Sequence, residues 1–436
     1  MKNYTLPEGY SMTQSFLRSF KLISNPIEAI QESMERFNGT YSVFTGFHQN
    51  TILTQDPDFI EYVLKKNHKN YHKSSIVSEK VGRFLGNGLL TSNGEYWLKQ
   101  RRLIQPGFHH QKVQALYAIM KRTIDNFLQH LPSGQAIDIY PLMNKLAFDI
   151  VVSTLFNVDL PAKTIEELST IITELQAFVI LDIRQPQRSW WLKASGQVRR
   201  NLAKAARARA IMSEIIQQRK SSGNTHNDLL DMLLAARYED TQLGMTEDQL
   251  IDEIMILIIA GHETTANALS WTLYLLATHT EILDKTRDVE DSGLESIIRQ
   301  PYINAVINES MRLYPPAWIS DRVALSDDAF GSFSFPKGTI VITYYYGLHR
   351  DPDYWESPEE FKPERFLNAD KDSQKIYFPF GAGPRLCIGN SFAIAEMALF
   401  LHSFVKYFDF ESVSTPKMVP LVTLRPDSVL LNITRR

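Results

Sequence analysis

The chain has 436 residues, with 46 Lys and Arg against 49 Asp and Glu, and a formal net charge of −3. Apolar residues make up 44 % and charged residues 22 %, ordinary globular values that exclude a disordered or collagen-like chain. One cysteine cannot form an internal disulfide, and the near-neutral balance provides no global field to hold nucleic acid. The N-terminus, MKNYTLPEGYSMTQSFLRSF, has no unbroken apolar segment of the secretory type. The most apolar run, at 254–260, is far shorter than the roughly 20 residues that span a bilayer. These features predict a soluble, cytoplasmic chain with no membrane anchor.

In chain order, Asn25 and Pro26 with Glu28 predict a capped helix start, and Ile27, Ile30, Met34 and Phe37 line one face before the stop at Gly39. Strands are predicted at 41–45 and 51–54. Asp56-Pro57 opens a helix with an apolar stripe of Phe59, Ile60, Val63 and Leu64. Helical periodicity covers about 95–130, 140–156, 164–180, 196–219, 227–236, 246–278 and 301–313. From about 318 to 350 the residues turn β-branched and aromatic, most clearly at 338–346, which suits strands. A last helix is predicted near Cys387, and the tail from 418 reads as hairpin strands. There is no internal repeat. The polar stretch SSGNTHN at 221–227 is a connector. The expected fold class is mainly α with a small β-rich part (about 40–55, 318–350 and 418–436), organised as one domain over 1–436, although length alone suggests two or three. The basic stretch Arg199, Arg200, Lys204, Arg207 and Arg209 reads as a solvated helix face, with an anionic partner or membrane surface as the alternative.

The single cysteine lies in FPFGAGPRLCIGNSFAIAEMAL. Gly and Pro forbid a helix before it, and a good helix follows. Cys387 is therefore placed at a loop-to-helix junction, where helix N–H groups steady a thiolate. Such a thiolate is a nucleophile or a metal ligand. The loop is not a dinucleotide fingerprint, because Leu386 falls where the last glycine belongs. The long predicted helix starts with the capping box Thr246-Glu-Asp-Gln249 and carries AGHETT at 260–265. Glycine with two threonines is a poor helix centre. A zinc-protease HExxH would need His at 266, which is Ala. Glu309 and Arg312 sit at i, i+3 on one helix face, and the apolar residues that follow suggest burial.

FGAGPRLCIG resembles the haem-binding signature of cytochrome P450 enzymes, F-x-x-G-x-R-x-C-x-G, with every defined position filled. The resemblance spans about residues 6–426. It implies the cytochrome P450 fold, a triangular helix-rich prism around one buried haem b, with Cys387 as iron ligand and Arg385 on a propionate. Phe380 and Gly381 fall in the haem-contacting loop. AGHETT is similar to the family's oxygen-side helix pattern. Ala260 and Gly261 would make room for O2, Thr264 would donate a hydrogen bond during its activation, and Glu263 would relay protons. ESMR at 309–312 and PERF at 363–366 resemble the family's structural carboxylate–arginine trio, so Arg365 would join Glu309 and Arg312. Trp97 with Arg101 resembles a propionate-binding helix, and Arg322 aligns with a further propionate-binding arginine. His72 and Lys73 would approach the haem edge, while His349 reads as structural.

The implied activity is O2-dependent monooxygenation of a small organic substrate, hydroxylation or O-dealkylation. Electrons would come from a ferredoxin or flavodoxin with its NAD(P)H reductase, docking at a face that includes Lys99 and Arg102. Ile254, Ile258, Ala317, Ile319, Leu421 and Val422 suggest a lipid-like substrate, fatty acyl or isoprenoid. Trp190, Trp191, Trp318, Ser320 and Asp321 equally suit O-demethylation of a methylated sugar or phenolic ether. A non-catalytic haem-binding or ligand-sensing protein is the reading of a different class.

Overall fold

The computed structural model describes residues 3–45, 49–157, 160–185, 188–289, 292–367 and 373–436. They form two compact units, one drawn from Met1–Ser74, Ala305–Cys387 and Met418–Asp427, the other from Ser75–Asn304, Ile388–Lys417 and Ser428–Arg436.

The first unit is organised by a five-stranded sheet. Its spatial order is Thr40–Thr45, Gln49–Thr54, Ile340–Tyr344, Ile319–Ala324 and Tyr71–His72. The first pair is antiparallel, with Tyr41 opposite Leu53. Gln49–Thr54 then pairs in parallel with Ile340–Tyr344, with Ile52 opposite Val341. Because side chains alternate across a strand, Ile52 and Leu53 enter different cores. Ile52 and Val341 pack with Phe59, Val63 and Phe335, whereas Leu53 packs with Tyr41, Trp318 and Tyr344. A sheet covered on both faces holds its register firmly, since a one-residue slip would exchange the two cores. The register sets His72 opposite Val323 and Arg322 opposite Val341. Lys73 therefore leaves the sheet edge close to Arg322.

The second unit is helical. Glu247–Thr278 packs along Ile139–Leu155, with Ala162–Arg184, Gln197–Ser222, Tyr117–Gln129 and Asn390–Tyr407 in the same unit. The long helix buries residues on all sides, the pattern of a helix inside a core rather than on a surface. Thr246 caps it, and the side chain of Gln249 returns the bond to the Thr246 N–H at 2.9 Å. A three-stranded sheet, Gln135–Asp138, Leu430–Arg435 and Phe408–Ser412, lies in this unit.

Several boundaries differ from expectation for identifiable reasons. The pattern at 95–130 is four pieces: Gly94–Ile104, a 3-10 turn Gln105–Phe108, His110–Gln114 and Tyr117–Gln129. Pro106 removes a helix N–H donor there. Asn25 does not cap the second helix with its side chain; its amide bonds the Glu28 carboxylate. Within 338–346 only Ile340–Tyr344 is strand, and Tyr345–Leu348 turns helical. The final helix begins at Asn390, three residues past Cys387. In the tail, Met418–Pro420 and Leu424–Pro426 make the expected hairpin, but Leu430–Arg435 pairs with Gln135–Asp138 and Phe408–Ser412. Among the described residues no helix is long and apolar enough to cross a membrane.

Candidate functional site

Cys387 ends the middle segment of the first unit, on a loop stiffened by its own backbone. Gly381 and Gly383 hold φ of +70° and +67°, the left-handed region that side chains resist. A Cβ on Gly383 would stand 2.0 Å from the Leu64 carbonyl oxygen, so this turn admits only glycine. The Cys387 N–H donates to the Phe380 carbonyl at 3.0 Å, which closes the loop and leaves the cysteine exposed.

Four basic side chains gather in the same unit. Arg322 is buried, and its Nη1 donates to the Asp321 carbonyl at 2.6 Å. Arg385 is pulled down to about 9, first by loss of solvent and then by the Arg322 charge. Lys73 keeps some surface yet falls to about 7, led by desolvation, then by Arg322 and Arg385, with Asp321 and Cys387 opposing. His72 is lowered by desolvation and by Arg385. Like charges held this closely destabilise one another, and a multiply anionic group would relieve them. Beside a thiol, the set suits a ligand that is acidic at one edge and carries a soft metal.

A contiguous scaffold supports the cysteine loop. Glu309 and Arg312 are fully buried and joined by two bonds, Arg312 Nε to Oε2 at 2.7 Å and Nη2 to Oε1 at 2.8 Å. Arg365 Nε and the Lys362 N–H also donate to Oε1, at 3.0 and 2.9 Å. The remaining Arg312 donors go to the carbonyls of His349, Pro358 and Glu360. Arg365 reaches the carbonyls of Glu356 and Ser357. This trio thus fixes the 349–366 segment. His349 Nε2 accepts from the Phe378 N–H at 3.0 Å, two residues before Phe380. The order Glu309, Arg312, His349, Phe378, Phe380, Cys387 is a continuous line of bonds and short chain steps. His349 is structural, as expected; its burial drives its pKa well below the usual histidine range.

In the second unit the long helix opens at one place. Ala260 is exposed, and Leu257 and Thr264 keep partial access, at i, i+3 and i+7 on one helix face. The Thr264 hydroxyl donates to the Ala260 carbonyl at 2.8 Å. Glu263 accepts from Gln176 Nε2 at 3.0 Å. A Cβ on Gly261 would come 2.9 Å from Val151 Cγ2, so the volume spared by this glycine serves the contact with Ile139–Leu155. His262 is buried against Phe148 and bonds the Ile258 carbonyl. No group of three His, Cys, Asp or Glu suited to a metal occurs among the described residues.

Trp97 is buried on Gly94–Ile104 and Arg101 follows one turn later, half-buried, as the spacing predicts. Lys99 pairs with Asp240 at 3.0 Å, and Arg102 is exposed. The basic face of Gln197–Ser222 is laced by ion pairs, Lys204 to Glu174, Arg207 to Glu167 and Arg209 to Asp248. Gln176 was not legible in the sequence, because it comes from another helix 87 residues before Glu263 and has no motif of its own.

Three comparisons bear on these features. A model of the family described as Cytochrome P450 matches residues 10–433. Cyclooctat-9-en-7-ol 5-monooxygenase of Streptomyces melanosporofaciens is 31 % identical over 356 residues, 80 % of this chain and 77 % of that protein. Cytokinin hydroxylase of Arabidopsis thaliana is 29 % identical over 89 % of this chain and 79 % of its own. Among solved structures, the cytochrome P450DA heme domain superposes with a TM-score of 0.84 at 22 % identity, covering 94 % of this chain and 93 % of that one.

Proposed function

The chain belongs to the cytochrome P450 family, whose members are haem b monooxygenases, and from that premise we propose that it oxidises a lipid-like substrate at a haem ligated by Cys387. The observation that carries the reading is the cluster of Lys73, Arg322 and Arg385 around the glycine-bounded cysteine loop. Haem b has a flat ring, two propionates and an iron that a cysteine thiolate would ligate. The cluster supplies cations for the propionates, the exposed Cys387 supplies the thiolate, and Gly381 spares the side-chain bulk that a flat ring would meet. Bound there, the haem supplies the redox chemistry that activates O2.

The protein's own groups then have separable tasks. By resemblance to the family, Cys387 would ligate the iron, Arg322, Arg385, Trp97 and Arg101 would hold the propionates, and Phe380 and Gly381 would border the ring. Ala260, with Gly261 beside it, leaves space on the accessible face of the long helix. Thr264, whose hydroxyl donates to the Ala260 carbonyl, would hold a proton for O2 activation, and Glu263, which accepts from Gln176, would pass protons inward. The family draws electrons from redox partners; for this chain we assign a ferredoxin or flavodoxin with its NAD(P)H reductase, at a face including Lys99 and Arg102. One family model over 10–433 supports a single catalytic domain. A cytoplasmic location is consistent with the lack of a membrane-crossing helix among the described residues.

For the substrate, a relative that acts on cyclooctat-9-en-7-ol supports an isoprenoid or fatty acyl molecule. Three of the five groups that the methyl-ether reading would draw on already have partners within the protein. Trp318 Nε1 donates to the Leu421 carbonyl, Ser320 bonds Thr343 and Tyr345, and Asp321 accepts from Ser74. Titrating the ferric protein with isoprenoid alcohols, fatty acids and methylated sugars tests this directly. The reading expects a spin-state shift with the first two, and with ferredoxin, its reductase and NADPH a product heavier by one oxygen. A shift and demethylation with the sugars alone would overturn it.

A further inference from the structure

Asp328 opens the short hairpin of Asp328–Phe330 and Phe333–Phe335 in the first unit, and its half-buried carboxylate gathers a dense set of donors. Oδ1 accepts from the Tyr62 hydroxyl at 2.8 Å and from the Ala329 N–H at 2.9 Å. Oδ2 accepts from the Tyr71 hydroxyl at 2.6 Å, from Asn67 Nδ2 at 2.9 Å and from Asn70 Nδ2 at 3.1 Å. A carboxylate offers about four lone-pair sites, so this one is saturated. Burial pushes its pKa up, but the bonds from Tyr71, Tyr62, Ala329 and Asn70 outweigh burial and hold it below the usual carboxylate range.

Apart from Ala329, these donors all come from one stretch, 62–71, and each end of that stretch meets the cysteine site. At one end the Leu64 carbonyl faces Gly383, and Lys65 Nζ lies 6.0 Å from the Phe378 ring centroid. At the other end Tyr71–His72 pairs with Ile319–Ala324 and delivers Lys73 beside Arg322. That strand is two residues long, too short for its ladder alone to hold it. Asn70 adds ties to the same hairpin: its carbonyl accepts from the Leu325 N–H at 2.8 Å, and its Oδ1 accepts from the Ser326 N–H at 2.9 Å. Beyond Lys73, the Ser74 hydroxyl bonds Asp321. The Lys73 cation is opposed where it stands, first by desolvation and then by the Arg322 and Arg385 charges, so its place must be imposed by the chain on either side.

We propose that Asp328 is a positioning residue for the haem, clamping the 62–71 stretch so that Lys73 is held with Arg322 and Arg385 at the propionate edge. Asp328 acts through Lys73 and is not itself a haem ligand. The proposal rests on the reading of Cys387 and its basic cluster as the haem site. It has an electrostatic signature. Deleting a carboxylate near a haem raises the reduction potential, whereas withdrawing a cation lowers it. A clamp that acts through Lys73 therefore gives the opposite sign to simple charge removal.

Reduction potentials of the haem-loaded protein test this. In Asp328→Asn the potential falls, as it does in Lys73→Gln, and the double variant falls no further than Lys73→Gln alone. Tyr71→Phe removes one bond and no charge, and gives a smaller fall. Asp327→Asn removes the neighbouring carboxylate, which accepts from Tyr4 and the Lys337 N–H, and does not lower the potential. Hydrogen exchange reads the clamp without reference to haem: amides in 62–73 exchange at least about ten-fold faster in Asp328→Asn and are unchanged in Asp327→Asn. A potential that rises or stays level in Asp328→Asn overturns the proposal. So does a fall that adds to that of Lys73→Gln, a level potential in Lys73→Gln, or unchanged exchange in Asp328→Asn. Should Asp328→Asn fail to fold, Tyr71→Phe decides: a lower potential with faster exchange upholds the clamp, and the absence of either overturns it. A wild type without a thiolate-type band under carbon monoxide would instead overturn the haem reading, and exchange in 62–73 would still decide whether Asp328 clamps the stretch.

Discussion

The Glu309 cluster and the 257–264 stretch of the long helix both break a rule of local sequence, and they do so to opposite ends. Glu309 and Arg312 place two charges where neither touches solvent, yet each of their hydrogen-bonding atoms has a partner. The cost of desolvation is offset by completeness, and the product is rigidity along the line to Cys387. Thr264 and Glu263 place polar groups in an apolar helix, but on a face that keeps access, with bonds that can be exchanged. The Thr264 hydroxyl bonds the Ala260 carbonyl of its own helix, and Glu263 accepts from the neutral amide of Gln176. Complete satisfaction suits a group that holds structure; exchangeable satisfaction suits the proton-handling role proposed for Thr264 and Glu263.

The comparison breaks first at Glu309. Glu309→Ala leaves the buried Arg312 guanidinium and the partly buried Arg365 without their carboxylate and lowers stability by about 3–5 kcal/mol, read from the urea midpoint. A loss under about 1 kcal/mol would mean that the cluster is not what fixes the loop. His349→Ala deprives the Phe378 N–H of its acceptor and costs about 1–3 kcal/mol. Transfer of haem to apomyoglobin, followed by absorbance, then proceeds faster than in the wild type. Unchanged transfer would uncouple the scaffold from Cys387.

Glu253 sharpens the contrast from within the long helix. It is fully buried, but its bonded partner is the Leu89 N–H at 3.0 Å, and among the described residues no guanidinium joins it. Burial leads the shift of its carboxyl up to about 7, the Leu89 bond opposes it, and Asp252 adds to it. Between about 4.5 and 7 the folded state therefore holds a proton that the unfolded chain has released. The stabilisation is complete below about pH 4.5 and is lost as pH rises through 7. Subtracting urea curves of Glu253→Gln from those of the wild type isolates this slope, at most about 1.4 kcal/mol per pH unit. A flat difference would show that Glu253 titrates as in water. The smallest effect on folding is expected for Thr264→Ala, within about 0.5 kcal/mol. Its effect on chemistry is large: NADPH is consumed with much of it diverted from product. Coupling equal to the wild type would remove Thr264 from proton delivery.

What the sequence disclosed follows from how local each signal is. The Cys387 loop, the capping box at Thr246 and the i, i+3 pair of Glu309 and Arg312 are short motifs, and all three are found where expected. Arg365 reached Glu309 only through resemblance, since 56 residues separate them. The pairing of Gln49–Thr54 with Ile340–Tyr344 joins strands nearly 290 residues apart, and no periodicity encodes it. The sequence brought Lys73 forward only through resemblance, because its perturbation comes first from burial and then from Arg322 and Arg385, both distant in the chain. The last strand, Leu430–Arg435, read as a local hairpin but is taken by Gln135–Asp138 from the other end of the second unit's sequence. Long-range pairing overrode the local turn signal there.

The central claim is that Cys387 holds the haem as a thiolate. Reducing the haem-loaded protein under carbon monoxide tests it most directly, with Cys387→His beside the wild type. The account predicts a red-shifted, thiolate-type Soret band in the wild type and a band of the histidine-ligated type in the variant. A thiolate-type band that survives the substitution, or a wild type that never shows one, would contradict it.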